Sequence, residues 1–334
     1  MAEKPRVLML GTVHHAGAEF EKLSSLANVT QVNSGTRADF VRDCDAGKYN
    51  NVVAISRTYD SAAFTGLFDA ELISHLPASV KYICHNGAGY DQIDVPTCTK
   101  KNIAVSNTPS AVDAATANTA IFLILGALRR IWQPQLSLRE SKWRGDSPLG
   151  RDPNGLTLGI LGMGGIGTAT AQRAVPFGFH LQYHNRKPVP DIDAQFPRQR
   201  APKYVGFEEL LQTSDVISIH LPLLAATRGL IGAKEIAMMK EKVILVNTAR
   251  GPIIDEAALV SGLDSGKVWS VGLDVYEKEP AIKPRLQQHP NAVLLPHIGT
   301  ATVDTQKRME VLVIDNVVSA ITKGTLLTQV PQHA

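Results

Sequence analysis

Three segments in the second half of a 334-residue chain set polar side chains directly after apolar runs. Val243-Ile-Leu-Val-Asn247-Thr-Ala-Arg250-Gly251 leads to an arginine. Ser270-Val-Gly-Leu-Asp274-Val-Tyr-Glu277-Lys-Glu279-Pro280 leads to carboxylates, and Val293-Leu-Leu-Pro296-His297-Ile-Gly299 to a histidine. Short apolar runs of this kind read as buried parallel strands, and in open α/β sheets ligands collect at the carboxyl ends of the strands. A planar guanidinium grips a carboxylate through forked hydrogen bonds and polarises an adjacent ketone. Imidazole delivers a proton near neutral pH, and a neighbouring carboxylate favours the imidazolium and fixes the ring. Arg250, His297 and Glu279 therefore suit the reduction of a 2-keto acid. Taken singly, each has a plain alternative: a salt-bridging loop residue, a satisfied core histidine, a surface acid. Together, all placed after strands, they favour one site.

Such a reaction needs hydride, and a second signal indicates its source. Thr157-Leu-Gly-Ile-Leu-Gly-Met-Gly-Gly-Ile-Gly-Thr holds Gly162-x-Gly164-x-x-Gly167 between an apolar strand and a helical stretch, Thr168–Val175. Gly162 permits the tight turn, Gly164 lets backbone approach a pyrophosphate, and Gly167 lets helix and strand pack closely. Met163, Gly165 and Ile166 complete the loop, and the helix start offers free N–H groups to phosphate. The next strand, His180–His184, runs into Asn185-Arg186-Lys187. An acid in that turn takes the ribose hydroxyls of NAD and repels a 2′-phosphate, whereas Asn185 with two cations accepts one. One charge-assisted hydrogen bond contributes about 1.5–3 kcal/mol, roughly tenfold to a hundredfold in affinity. NADP(H) is therefore favoured and NAD(H) is the alternative. The plain reading of the turn is a solvated basic loop. Asp191 and Asp193 lie too far along to serve.

The elements that must position these residues alternate in βαβ rhythm. Val7–Leu10, Val52–Ile55, Val80–Cys84 and Ile103–Val105 read as strands, with helices such as Ala18–Leu26 and Ala38–Ala46 between them. Leu158–Leu161, His180–His184, Val216–Ile219, Val243–Val246 and Val268–Gly272 form a second series, with helices Gly165–Val175 and Glu256–Leu263. The expected architecture is α/β, two doubly wound parallel sheets. No Gly/Ser- or Pro-rich linker separates them. Two long helices, roughly Ala111–Ile131 and Thr302–Lys323, are expected to carry the chain out of the first domain and back. The first domain is then discontinuous, 1–106 with 302–334, around a second at 107–301. A crevice between two domains is a usual home for a small ligand.

Composition bounds the reading. Hydrophobic residues make up 44% and charged residues 19%, with 34 basic and 31 acidic residues for a net charge of +3. These values suit a soluble globular protein and give no reason to expect nucleic acid. Cys44, Cys84 and Cys98 lack metal-ligand spacing and read as reduced thiols of a cytoplasmic protein. The start lacks a signal peptide's apolar segment, and the run Ile121–Leu128 is too short for a bilayer. No metal site is expected; His14-His15 reads as a loop.

The chain resembles the D-isomer-specific 2-hydroxyacid dehydrogenase family, most of all its glyoxylate/hydroxypyruvate reductases, over nearly its whole length. The resemblance rests on Asn86-Gly-Ala-Gly-Tyr-Asp-Gln-Ile-Asp94, Asn107-Thr-Pro109, Thr116-Ala117, Trp143, the glycine loop, His220-Leu-Pro222 with Thr227, and the three reacting segments. It implies a Rossmann cofactor domain inserted into a flavodoxin-like substrate domain. Arg250, Glu279 and His297 match the family's catalytic residues. Asn86, Gly87, Ala88 and Gly89 match a loop whose amides hold the substrate carboxylate, with Arg250 and His297 also at the substrate. Asp274 matches an acid contacting the nicotinamide amide. Thr116, His220, Leu221, Pro222, Thr227, Thr248 and Ala249 match cofactor-lining positions, together with Arg250, His297 and Gly299. The family also implies a homodimer through the cofactor domain, a substrate domain that closes over the ligand, and a Trp143–Leu149 flap at the partner's site.

The chain departs from the family at Asn118, where glutamate is common, and at Gly165, where arginine is common. Glu279 argues against the formate dehydrogenase branch, which has glutamine there. Ser56-Arg57-Thr58 is read as following a first-domain strand, with Arg57 a candidate for the substrate carboxylate or an ordinary surface arginine. The expected activity is NAD(P)H-dependent reduction of small 2-keto acids to D-2-hydroxy acids. Alternatives are a dehydrogenase of bulkier, mandelate-like D-2-hydroxy acids and a dinucleotide-sensing, corepressor-like binding protein.

Overall fold

The computed structural model describes residues 3–331. The chain divides into two compact units, Met1–Val112 with Ala301–Ala334, and Asp113–Thr300.

In the first unit, β1 (Arg6–Leu10), β2 (Asn28–Val32), β3 (Val52–Thr58), β4 (Tyr82–Asn86) and β5 (Ala104–Ser106) form one sheet in the order β2-β1-β3-β4-β5. Every ladder pair in it is parallel. This is the flavodoxin-like order, which reverses direction between β1 and β3. In the second unit, β6 (Thr157–Leu161), β7 (His180–His184), β8 (Lys203–Tyr204), β9 (Val216–Ile219), β10 (Val243–Asn247), β11 (Val268–Leu273) and β12 (Ala292–Leu294) lie in the order β12-β11-β10-β9-β6-β7-β8. These pairs too are all parallel, and the order reverses between β6 and β9 as in a Rossmann sheet.

Burial explains which runs became strands. β9 and β10 are buried along their whole length, because helices cover both faces of a parallel sheet. β2 and β8, not anticipated from the sequence, are edge strands with exposed, polar residues and so carry no apolar run. β3 runs on to Thr58, so Arg57 lies inside the strand and not after it. β4 begins at Tyr82 and reaches Asn86, which brings His85 into the strand.

The helix Asp113–Arg129 buries nine of its residues in the second unit, and Val303–Lys323 packs on β3 and β4 of the first. Asn107 and Thr108, expected to open the second domain, instead stay with the first unit. The Asn107 and Thr108 amides donate to Thr328 and Gly87 carbonyls, and Asn107 Nδ2 donates to Ala88. No single helix among the described residues is long and apolar enough to cross a membrane. Cys44, Cys84 and Cys98 are buried free thiols, each pushed up to about 12 chiefly by burial.

The His14-His15 loop has a structural anchor. The amides of His14, His15 and Ala16 donate to the buried Glu310 carboxylate at 2.9, 2.7 and 2.9 Å. Glu310→Ala should therefore destabilise the protein by about 3 kcal/mol, since hydrogen bonds to a charged group contribute ~1.5–3 kcal/mol each and do not add fully. Urea denaturation reads this directly; a loss under 1 kcal/mol would show that the loop holds itself.

Candidate active site

The second unit gathers most of the expected residues at the carboxyl ends of its strands. At the β6/β9 switch, Gly162 has φ 103° and packs on the His220 backbone, where a Cβ would fall 2.8 Å from the carbonyl. A Cβ on Gly167 would collide with the Gly162 carbonyl oxygen. Gly164 caps the helix Gly165–Ala174, whose first amides lack intrahelical partners. Asn185 Oδ1 accepts from the Met163 amide at 2.7 Å, tying the glycine loop to the end of β7. Arg186 and Lys187 are exposed. Thr227 Oγ1 donates to the Pro222 carbonyl and accepts from the Leu224 amide, which folds the loop containing Leu221.

Both departures from the family pattern have physical partners. Any side chain at Gly165 would collide with the Asp113 carboxylate. Asn118 accepts from Arg173 at 2.7 Å, joining the two helices.

This end of the unit fits a dinucleotide. The glycines leave backbone open where side chains cannot enter. His220 Nδ1 and Thr248 Oγ1 are buried without hydrogen-bond partners among the described residues. His220 Nε2 meets Ser218 Oγ at 2.9 Å, and desolvation pushes the ring down to about 3, so it is neutral at physiological pH.

The reacting segments converge as well. Asn247 Nδ2 donates to the Arg250 carbonyl and Asn247 Oδ1 accepts from the Ala249 amide, so the end of β10 shapes the arginine turn. Arg250 Nη1 donates to the Ala249 carbonyl at 2.7 Å. Gly251 packs so closely on the Tyr276 carbonyl that no Cβ fits. Arginine loop and carboxylate loop therefore form one packed body.

Glu279 Oε2 lies 2.7 Å from His297 Nδ1, and Glu279 Oε1 accepts from the Tyr276 amide at 2.9 Å. His297 has a left-handed φ of 55°, uncommon outside glycine. Asp274 holds this turn by accepting from the Ile298 and Gly299 amides at 2.7 and 2.8 Å. Gly299 in turn packs on Thr116 and Asp274. Burial pushes the Asp274 carboxyl above its ordinary range, against the pull of those amides. Burial also opposes the charge on Glu279, but the His297 bond and charge, the Tyr276 amide and the Arg250 charge outweigh it. Glu279 therefore ionises below the ordinary glutamate value.

Asn86–Gly89 belongs to the first unit. Its carbonyls at Gly87, Ala88 and Gly89 are taken by the Thr108 amide, Asn107 Nδ2 and His85 Nε2, at 3.0, 2.7 and 3.0 Å. The Ala88 and Gly89 amides meet no acceptor among the described residues. Successive amides without acceptors are able to donate to an anion. Arg57 is fully buried, with 0% exposure, which removes the alternative of an ordinary surface arginine. No sequence pattern assigns a role to His85, Gln92, Tyr276 or Glu256, whose carboxylate accepts from the Glu277 amide. Such supporting bonds leave no spacing pattern in the sequence.

A parallel two-unit fold with a dinucleotide turn and an arginine, glutamate and histidine at strand ends defines an NAD(P)-dependent oxidoreductase. Residues 121–299 match the model of the D-isomer specific 2-hydroxyacid dehydrogenase NAD binding domain. The chain is 54% identical over 330 residues to 4-methyl-2-oxopentanoate reductase A of Aspergillus oryzae, covering 98% of each. A crystal structure of a glyoxylate reductase from Paecilomyes thermophila matches with TM-score 0.95 and 54% identity, covering 100% of each chain. Holo D-mandelate dehydrogenase of Rhodotorula graminis matches with TM-score 0.92 and 31% identity over 98% of each chain. The chain belongs to the D-isomer specific 2-hydroxyacid dehydrogenase family.

Because the folded-state pKa of Glu279 is lowered, its ionisation stabilises the protein above the unfolded-state value, and this contribution fades as pH falls through the lowered one. Denaturant midpoints should therefore separate wild type from Glu279→Gln at neutral pH and converge under acid conditions. A constant gap across that range would contradict the assignment.

Proposed function

We propose that this enzyme reduces small 2-keto acids, such as glyoxylate or hydroxypyruvate, to D-2-hydroxy acids, with NADPH favoured over NADH. The observation that carries the reading is the Glu279–His297 contact at 2.7 Å on a body that also holds the Arg250 turn. When bound, the nicotinamide supplies the hydride. The glycine loop Gly162–Gly167, with Thr116, His220–Pro222, Thr227, Thr248, Ala249, Arg250, Asp274, His297 and Gly299, would hold the cofactor. Asn185, Arg186 and Lys187 would take a 2′-phosphate, the two cations through charge-assisted bonds.

The free amides of the Asn86–Gly89 loop would take the substrate carboxylate, and a guanidinium such as that of Arg250 grips a carboxylate and polarises a ketone. His297, protonated at Nε2, gives its proton to the ketone oxygen as the alcohol forms. Glu279 at Nδ1 fixes the ring and stabilises the imidazolium that the step consumes. The substrate-binding unit would be the discontinuous one, and 113–300 the cofactor unit. A homodimer through the cofactor unit, with Trp143 and Leu149 reaching the partner, is consistent with their exposures of 80% and 85%.

The likeness to D-mandelate dehydrogenase favours one second reading, oxidation or reduction of bulkier D-2-hydroxy acids. Steady-state kcat/KM for glyoxylate, hydroxypyruvate and phenylglyoxylate, with each cofactor, separates the two. The expected result is a small-acid preference and an NADPH preference of roughly tenfold to a hundredfold. Arg186→Ala with Lys187→Ala should remove the cofactor preference and leave the NADH rate intact. Activity confined to phenylglyoxylate would move the assignment to the second reading; an unchanged preference in the double variant would place phosphate recognition elsewhere.

A further inference from the structure

Beneath the Asn86–Gly89 loop lies a buried polar group that none of the roles above employs. Arg57 and His85 are register neighbours on β3 and β4, one residue short of the end of each strand. Both are 0% exposed. His85 Nε2 faces the Gly89 carbonyl, which can only accept, so Nε2 carries the proton. The same ring fills the space where Gly87 would carry a Cβ, 2.5 Å from Nε2. Arg57 Nη2 donates to Gln92 Oε1 at 2.7 Å, and its guanidinium stacks 4.9 Å from the centroid of Phe68. One buried donor thus fixes the loop at Gly89 and another fixes it at Gln92.

This arrangement is poor as a device for stability alone. Burial pushes the Arg57 guanidinium down to about 10, and Nη1 meets no partner among the described residues. A buried charge or an unmade donor costs stability unless it is paired and hydrogen-bonded, so groups left this way serve some end other than stability. What they support here is a turn whose three carbonyls point into protein and whose Ala88 and Gly89 amides are left free.

We propose that Arg57 and His85 are positioning residues that clamp the 86–92 turn with its amides free, and so set affinity for the substrate carboxylate without touching it. The inference rests on the reading of that loop as the carboxylate site. It also reassigns Arg57 from ligand contact to support.

The test measures KM for glyoxylate, KM for NADPH, kcat, and oxalate binding by calorimetry in the presence of NADPH. His85→Ala and Arg57→Leu should raise the glyoxylate KM and weaken oxalate binding at least about tenfold. In both variants kcat should stay within about threefold and the NADPH KM within about twofold. His85→Gln, whose amide can still donate to the Gly89 carbonyl, should recover oxalate binding to within about threefold. If Arg57→Leu does not fold, Gln92→Leu removes the same bond and carries the same expectation. Unchanged oxalate binding in folded His85→Ala, an equal loss of NADPH affinity, or failure of His85→Gln to recover would overturn the clamp. A wild type that does not reduce glyoxylate, paired with tenfold weaker oxalate binding in His85→Ala, would sink the proposed reaction and uphold the clamp. No oxalate binding by the wild type would overturn both.

Discussion

Parallel strand pairing is the constraint from which the rest of this structure follows. Parallel neighbours cannot be joined by tight turns, so each strand is followed by a helical crossover that covers a face. The carboxyl ends of all the strands in a sheet then share one edge, and the segments leaving that edge can carry polar groups that converge on one place. In the second unit this edge holds the glycine turn after β6, the His220 loop after β9, the Arg250 turn after β10, the Glu279 loop after β11 and the His297 turn after β12. Residues distant in sequence meet because the sheet gives them no other place to be.

Within that edge, precision comes from backbone contacts that admit no side chain. Gly251 lies against the Tyr276 carbonyl, and Gly167 against the Gly162 carbonyl. The first ties the arginine loop to the carboxylate loop, and the second closes the glycine turn onto the start of its helix. Asp274 adds a buried carboxylate that holds the unusual backbone at His297 through two amides. His297 is thus fixed by Glu279 at its ring, and its turn by Asp274 through the two amides that follow it.

Much of this was legible in the sequence, for a physical reason. Strands buried on both faces are mostly apolar, so β1, β6, β9, β10 and β11 announce themselves, and a glycine pattern after one of them has few other uses. Arg250, Glu279 and His297 were readable because each follows such a run. β2 and β8 were not, since edge strands need no apolar residues. The end of β3 was misread because Ser56-Arg57-Thr58 is polar yet buried, and a buried arginine looks like a loop residue until its partners are known. The domain boundary moved for a similar reason: Asn107 and Thr108 serve the first unit through hydrogen bonds to loop carbonyls and not through any apolar signature.

The central claim is that His297, oriented by Glu279, delivers the proton and has little part in holding the cofactor. Single-turnover oxidation of NADPH by glyoxylate, measured in His297→Ala beside calorimetric NADPH binding, tests it most directly. The account predicts a fall in the transfer rate of about 10²–10⁴-fold, the usual worth of a positioned general acid, with NADPH affinity within about threefold of wild type. A folded variant that keeps most of the rate, or that loses NADPH binding in proportion to the rate, would contradict it.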